Sequence, residues 1–333
     1  MTKDIKILIV TKKRNDSYGI SYGLNNSAML TEKYLNKKGV QCKYVSVIDN
    51  NCIDKEIHLY KPTHILLEAI WVTPEKISTL IKLHNNIEWI VRIHSELPFL
   101  ANEGIAVEWL NEYSKIPKLC IASNNKRMVR DINKIGIKNI YLPNLYNITE
   151  INETKIWKDK IIDVGCFGAI RPMKNQFIQA CAAIQFAEEN HLTLRFHINA
   201  NRIEQKGEQI LKNIRNLFKY KTHHKLIEND WMPHNEFLKY LKSHIDVGLQ
   251  VSFSETFNIV TADYITAEVP CVVSKEINWM PFWTYASAND MNSIAKTIGR
   301  VLFINVFFNL SNVFNKKALN SYNEKSFEVW ENF

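Results

Sequence analysis

The densest group of residues able to do chemistry lies in Ser252-Phe-Ser-Glu-Thr-Phe-Asn-Ile-Val-Thr-Ala-Asp263. A buried strand is expected to end near Ser252, a short loop then holds Glu255, and a helix starts at about Phe257. The backbone N–H groups of Thr256, Phe257, Asn258 and Ile259 would point out of that helix start. There the helix dipole favours an anion such as a diphosphate. Glu255 stands just before those donors and can accept hydrogen bonds from neutral hydroxyls. Asp263 follows about two helical turns later, which places it on the side of the helix that Glu255 occupies. The combination suits a nucleoside diphosphate carrying a sugar. A carboxylate at a helix start also serves simply as a cap, and residue types alone leave that alternative open.

A second group is Asp163-Val-Gly-Cys-Phe-Gly-Ala-Ile-Arg-Pro-Met-Lys-Asn175. Gly168, Arg171 and Lys174 lead into a helix expected over 172–190. Two cations at a helix N-terminus can take the charge of a departing diphosphate without a metal ion. No Asp-x-Asp pair occurs, so metal dependence is not expected, and no cofactor beyond a nucleotide-sugar co-substrate is implied. Smaller signals are a loop over Ser17–Asn26 with Gly19 and Gly23, His94 at the end of an apolar run, and Trp231 in Asp230-Trp-Met-Pro233.

These residues need elements to hold them. Apolar runs fit strands at Ile5–Val10, Gln41–Ile48, Thr63–Ile70, Glu88–His94, Lys118–Ser123 and Asn139–Pro143. They recur at Ile161–Phe167, Thr193–Asn199, His224–Glu228, Ile245–Ser252 and Pro270–Ser274, with a further candidate at Trp283–Ala286. Helical patterns fill the intervals, near 25–38, 74–86, 103–114 and 124–136, then 172–190, 203–220, 234–243, 257–268 and 289–308. Continuous apolar strands alternating with helices imply parallel sheets buried on both faces, an α/β doubly wound architecture. The 333 residues suit two domains, and the polar stretch Tyr146–Lys160 reads as their linker. The expected division is 1–148, 160–310 and a helical tail over 311–333 packing back on the first domain. Ligands in such sheets bind beyond the carboxyl ends of the strands, so a cleft between the domains is the expected site.

Composition narrows the class. Apolar residues at 46% and charged residues at 23% exclude a disordered or disulfide-scaffold protein. The six cysteines are scattered without a Cys-x-x-Cys pair, as expected of reduced thiols in a cytoplasmic protein. No apolar run approaches the roughly 20 residues of a membrane span, and the six-residue Ile5–Val10 is too short for a signal-peptide core. Net charge is +8, and residues 1–150 carry 21 Lys+Arg against 15 Asp+Glu. That excess suits an anionic partner for the first half, with Lys12, Lys13, Arg14, Lys126, Arg127 and Arg130 as a possible track.

With these residues in view, the chain resembles the family-4-like glycosyltransferases (group 1) of the GT-B fold. The carrying motifs are Glu255–x7–Asp263 followed by Val269-Pro-Cys-Val-Val-Ser274, and the Gly168–Arg171–Lys174 stretch. The resemblance implies two Rossmann-like domains and hexose transfer from a nucleotide sugar to an acceptor hydroxyl with retention of configuration. By it, Glu255 contacts the donor hexose and Asp263 the ribose. Arg171 and Lys174 hold the diphosphate, with Gly19, Gly23 and Gly168 in the phosphate loops. His94 lies near the donor sugar and Trp231 near the base. Leu142-Pro-Asn144 resembles the closing segment of the first domain, and Ser123 a helix cap. Asp263 departs from the usual Glu. Thr256 and Asn258 stand where glycines are common, and Glu268 stands where a Gly precedes Val-Pro.

The acceptor implied is a glycan, a lipid-linked carbohydrate or phage-type modified DNA, met by the basic first domain. Two other classes stay open: a non-transferase of the same fold, such as a nucleotide-sugar epimerase, and a catalytically degenerate basic module that binds nucleic acid.

Overall fold

The computed structural model describes residues 5–13, 23–156, 159–308 and 310–333. The chain forms two compact units, one of Met1–Asn147 with Asn323–Phe333, the other of Ile148–Tyr322.

The first unit is a six-stranded sheet in the order β2-β1-β3-β4-β5-β6, parallel throughout. Its strands are β1 (Lys6–Lys12), β2 (Gln41–Val47), β3 (His64–Glu68), β4 (Glu88–Ile93), β5 (Leu119–Ser123) and β6 (Ile140–Tyr141). The connecting helices are α1 (Gly23–Lys37), α2 (Cys52–Tyr60), α3 (Pro74–Leu83), the single turn α4 (Leu97–Leu100), α5 (Ala106–Tyr113) and α6 (Lys126–Lys134). Successive strand residues serve opposite faces. Leu8, Val10, Ile65 and Leu67 join a core with Ile53 and Ile57 of α2 and with Ile77 and Leu80 of α3. Ile7, Ile9 and Leu66 join a second core with Ala28 and Leu35 of α1. Both faces are therefore apolar, which is why these strands read as continuous runs instead of alternating ones.

The second unit holds a five-stranded parallel sheet, β11-β10-β7-β8-β9. Its strands are β7 (Ile161–Gly165), β8 (Thr193–Asn199), β9 (Lys225–Asn229), β10 (Val247–Gln250) and β11 (Cys271–Val273). The helices are α7 (Gln176–Glu189), α8 (Glu208–Tyr220), α9 (His234–His244), α10 (Ile259–Thr266) and α11 (Met291–Phe308). The last helix, α12 (Leu310–Glu331), starts in the second unit and ends in the first. Phe327 and Trp330 on its final turns are buried in the core that α1 helps to form. The change of unit falls at Tyr322/Asn323, inside one helix, and not at residue 310.

Three local expectations change. Trp283–Ala286 is not a strand: Phe282–Thr284 is a 3-10 turn, joined to β11 by one bridge between Val273 and Tyr285. The helix expected from 172 is broken. Pro172–Lys174 forms a 3-10 turn, Asn175 takes φ +59°, and α7 begins only at Gln176. Helices α2 and α4 were not expected; both are short, and α2 follows directly on the turn residues Asp49-Asn50-Asn51.

All six cysteines are free thiols. Among the described residues no helix is long and apolar enough to cross a membrane.

Candidate functional site

Strand order reverses at two places. In the second unit β7 lies between β10 and β8, so the loops after β7 and β10 diverge to opposite faces of the sheet. The crevice between such loops is where ligands of open parallel sheets bind. The Lys174 segment follows β7 and the Glu255 segment follows β10.

Lys174 Nζ is ion-paired to Glu255 Oε1, and the two side chains are only 11% and 8% exposed. Burial pulls the Lys174 ammonium below its ordinary pKa, and the nearby Arg171 charge adds to this, while Glu255 opposes it. Arg171 Nη1 lies 3.4 Å from Glu204 Oε2, a carboxylate that also receives Arg202 Nε and Nη2 at 2.8 and 2.6 Å from its other oxygen. The structure places Lys174 against Glu255 with the Arg171 charge nearby, each cation held by a carboxylate. Gly168 takes φ +115°, which a side chain would strain, and the nearest atom to a Cβ there would be Lys174 Cε. Its N–H donates to Asn199 Oδ1 at 3.0 Å.

Two asparagines in left-handed backbone stand at the starts of α7 and α10. Asn258, φ +59°, caps α10 by accepting from the Thr261 N–H at 2.9 Å and donates Nδ2–H to Gln250 Oε1 at 2.9 Å. Asn175, also φ +59°, donates to the carbonyls of Val251 and Ala288 at 2.9 and 2.8 Å. Helix α10 thus starts at Ile259, two residues later than expected. Thr256 and Phe257 belong to the preceding loop. Phe257 is buried and stacks on Trp279 and Tyr322 with centroids at 5.4 and 5.0 Å, so its side chain is core.

Asp263 does not sit beside Glu255 as a free carboxylate. It is 3% exposed, and its Oδ1 lies 2.7 Å from Nε2 of His234, the first residue of α9. Nothing in the sequence flags His234 as its partner. Trp231 is half-buried, with the Arg202 guanidinium 4.7 Å from its ring centroid.

The first unit reverses its strand order at β1, between β2 and β3. A cavity of about 180 Å³ opens there, lined by Lys12, Leu24, Ala69–Trp71, His94, Ser95 and Glu103 among others. His94 lies just past β4, and its Nε2 contacts Glu68 Oε2. Glu68 is the fully buried last residue of β3 and also receives Arg92 Nε at 3.0 Å. Burial alone would raise the Glu68 carboxyl; Arg92 and His94 overcome that and hold it at about 2. Burial lowers the His94 pKa, only partly offset by Glu68. Its Nδ1 accepts from Asn124 Nδ2 at 3.3 Å, which fixes the Nε2–H tautomer facing Glu68. Sequence reading missed Glu68. The available signal was one carboxylate in the apolar run His64-Ile-Leu-Leu-Glu68 with an Arg in the next strand.

Gly23 is the first residue of α1, whereas Gly19 and Arg14 lie outside the described residues. Of the later cations, Arg127 pairs with Glu96 at 2.9 Å, Arg130 with Asp131 at 2.9 Å, and Lys126 lies over the Tyr141 ring. Ser123 is not a cap: Asn125 caps α6, and Ser123 Oγ accepts from Asn139 instead.

No family model matches the chain, and no curated protein matches it. Solved structures do. Trehalose-6-phosphate synthase OtsA superposes with a TM-score of 0.66 at 11% identity, covering 96% of each chain. Sucrose-phosphate synthase from Thermosynechococcus elongatus gives 0.66 at 11%, covering 98% of each chain. Anabaena HepE, in complex with UDP and glucose, gives 0.62 at 12%, covering 99% of this chain and 100% of that one. The chain has the GT-B fold. In GT-B terms the Lys174–Glu255 pair sits at the switch point of the second sheet and the Glu68–His94 pair at that of the first.

Proposed function

We propose that this GT-B chain is a glycosyltransferase that moves a hexose from a nucleoside-diphosphate sugar to an acceptor hydroxyl, with retention of configuration and without a metal ion. The observation that carries the reading is the Lys174–Glu255 pair with Arg171 beside it, at the loops after β7 and β10. A diphosphate entering there meets two fixed cations, and Glu255 is placed to accept hydrogen bonds from sugar hydroxyls. As the glycosidic bond breaks, negative charge grows on the leaving diphosphate. Arg171 and Lys174 stabilise it in a site of low dielectric, where such interactions gain strength. His94, with its Nε2 held by Glu68, lines the first unit's cavity and is assigned to the sugar.

The acceptor in this reading is a carbohydrate, free or lipid-linked. The same cavity supports it, being lined by Lys12, Ser95 and Glu103, polar groups able to meet the hydroxyls of such an acceptor. Modified DNA needs a continuous basic face, and the pairing of Arg127 and Arg130 to carboxylates favours carbohydrate over it.

The test is thermal shift and donor hydrolysis with UDP-, GDP-, ADP- and TDP-sugars, beginning with UDP-glucose because HepE was solved with UDP and glucose. One nucleotide family should raise the melting temperature, and Arg171→Ala should abolish the rise. If no nucleotide sugar shifts the protein or is turned over, the proposal fails.

A further inference from the structure

Three ligand-type side chains meet on the first unit, away from both switch points. Asp54 and His58 lie one turn apart on α2, each one position beyond a buried isoleucine, Ile53 and Ile57. His84 caps the C-terminus of α3, its N–H donating to the Leu80 carbonyl at 3.0 Å. Ile77 and Leu80 of α3 share the core that Ile53 and Ile57 enter, so the two helices are seated on the same sheet face. In a parallel α/β sheet the helices run back against the strands. The last turns of α2 and α3 therefore lie at the amino ends of the strands, opposite His94 and the cavity.

His84 Nε2 is 2.6 Å from Asp54 Oδ1, and His58 Nδ1 is 3.6 Å from the same oxygen. The imidazole centroids are 5.3 Å apart, nearly edge to face. One ligand atom from each of the three residues lies within 4.8 Å of the others. A tetrahedral zinc ion with bonds of about 2.0–2.2 Å needs its ligand atoms roughly 3.3–3.6 Å apart. The present spacing brackets that range. His84 is 12% exposed and fixed by its helix end, while His58 is 69% exposed and its Nδ1 lies 2.9 Å from the Asp54 carbonyl, a hydrogen bond that the ring gives up to take the ion.

We propose that Asp54, His58 and His84 form a binding site for a zinc-class divalent ion that staples α2 to α3. Two imidazoles and one carboxylate are a borderline donor set, better matched to zinc than to calcium or magnesium. The ion would take one nitrogen of each imidazole, each ring keeping its N–H on the other nitrogen, together with one oxygen of the Asp54 carboxylate. Solvent water completes the coordination on the open side. This proposal is independent of the transferase reading, because it predicts stabilisation and no change in chemistry.

The test uses the full chain with any affinity tag removed and metals stripped by a chelator. Cobalt(II) titration should give visible d–d bands that saturate at one equivalent and are bleached by zinc. Zinc at about a hundred times its Kd should raise the melting temperature by several degrees. His58→Ala and His84→Ala should each weaken zinc binding at least tenfold. If His84→Ala does not fold, the exposed His58→Ala and His58→Gln carry the test alone. Absence of cobalt bands, or bands and affinity unchanged in His58→Ala, would overturn the proposal. So would an intense near-ultraviolet charge-transfer band, which would put the ion on a cysteine.

Discussion

Lys174 and Glu255 are 81 residues apart in the chain, yet they form an ion pair at the reversal point of the second sheet. The pair joins the loop after β7 to the loop after β10, so it shapes the candidate site. From sequence alone Glu255 looks like a carboxylate that supports nothing, and its removal looks harmless to stability. With both side chains about nine-tenths buried, that expectation is revised.

Removing either partner leaves a charge out of water without its counter-ion, which costs about 2 kcal/mol or more. Glu255→Ala and Lys174→Ala should therefore each lower stability in urea unfolding. The double variant should lose less than the two losses combined, with a coupling of about 0.5–3 kcal/mol. Strict additivity would mean that the pair carries no energy and that Glu255 is a free cleft carboxylate.

Acid should act through Glu68. Its carboxyl is at about 2 in the folded chain against an ordinary 4.5, because Arg92 and His94 outweigh burial. A carboxylate depressed on folding contributes stability that is present above the unfolded value and lost as pH falls toward the folded one. The gap of about 2.5 units is worth on the order of 3 kcal/mol. Glu68→Gln should be less stable than the parent at pH 7, and the difference should shrink as pH falls from about 4.5 to about 2. A difference independent of pH, followed by chemical denaturation at several pH values, would remove the ionised carboxylate from the explanation.

The second unit repeats this arrangement, and the repeat shows what sequence can and cannot tell. Arg92-Ile-His94 at the end of β4 faces Glu68, while Arg195-Phe-His197 on β8 faces Asp163. Asp163 lies mid-strand and His197 is sealed by Tyr240 at 2.8 Å, whereas Glu68 ends its strand and His94 lines a cavity. The strands of the first sheet were legible because both its faces are apolar, whereas in the second sheet the face opposite Ile162, Val164 and Phe196 carries Asp163, Arg195 and His197. Glu268, where the motif expects glycine, does take φ +62° and is held by Lys242 and Lys316 at 3.0 and 2.5 Å. The partners of Lys174 and Asp263 were not legible. An ion pair over 81 residues, or the meeting of α9 with α10 at His234, is decided by tertiary packing and leaves no local periodicity.

The end of α12 should be indispensable to the first unit. Trp330 is 7% exposed, its Nε1–H donates to the Pro143 carbonyl at 2.9 Å, and the Arg92 guanidinium lies 5.4 Å from its ring centroid. That same carbonyl accepts from Arg92 Nη1 at 3.0 Å, so one loop oxygen ties the last helix to the Glu68 network. Trp330→Ala removes the ring and leaves a cavity, at a cost of about 3–5 kcal/mol. Calorimetry should show the loss in the transition of the first unit, with the second unit's melting little changed. Trp330→Phe, which keeps most of the volume but not the N–H, should recover more than half of it.

Helix α10 reaches its place only because two strand residues lack side chains. Tyr264 donates its hydroxyl to the Gly165 carbonyl at 2.7 Å and lies across Gly248. A Cβ at Gly248 would stand 2.5 Å from the Tyr264 ring, and one at Gly165 would stand 2.7 Å from its hydroxyl. Neither tyrosine nor helix can move away cheaply, since Asn258 at the helix start is tied to Gln250 on the neighbouring strand. Gly248→Ala should cost about 1–3 kcal/mol by overpacking, and it should also weaken nucleotide-sugar binding by shifting the start of α10. Gly104→Ala is the control: nothing lies within 4 Å of its Cβ, and loss of unfolded-state freedom should make it neutral or stabilising by up to about 1 kcal/mol. Equal melting temperatures for the two variants would show that α10 is not seated on those glycines.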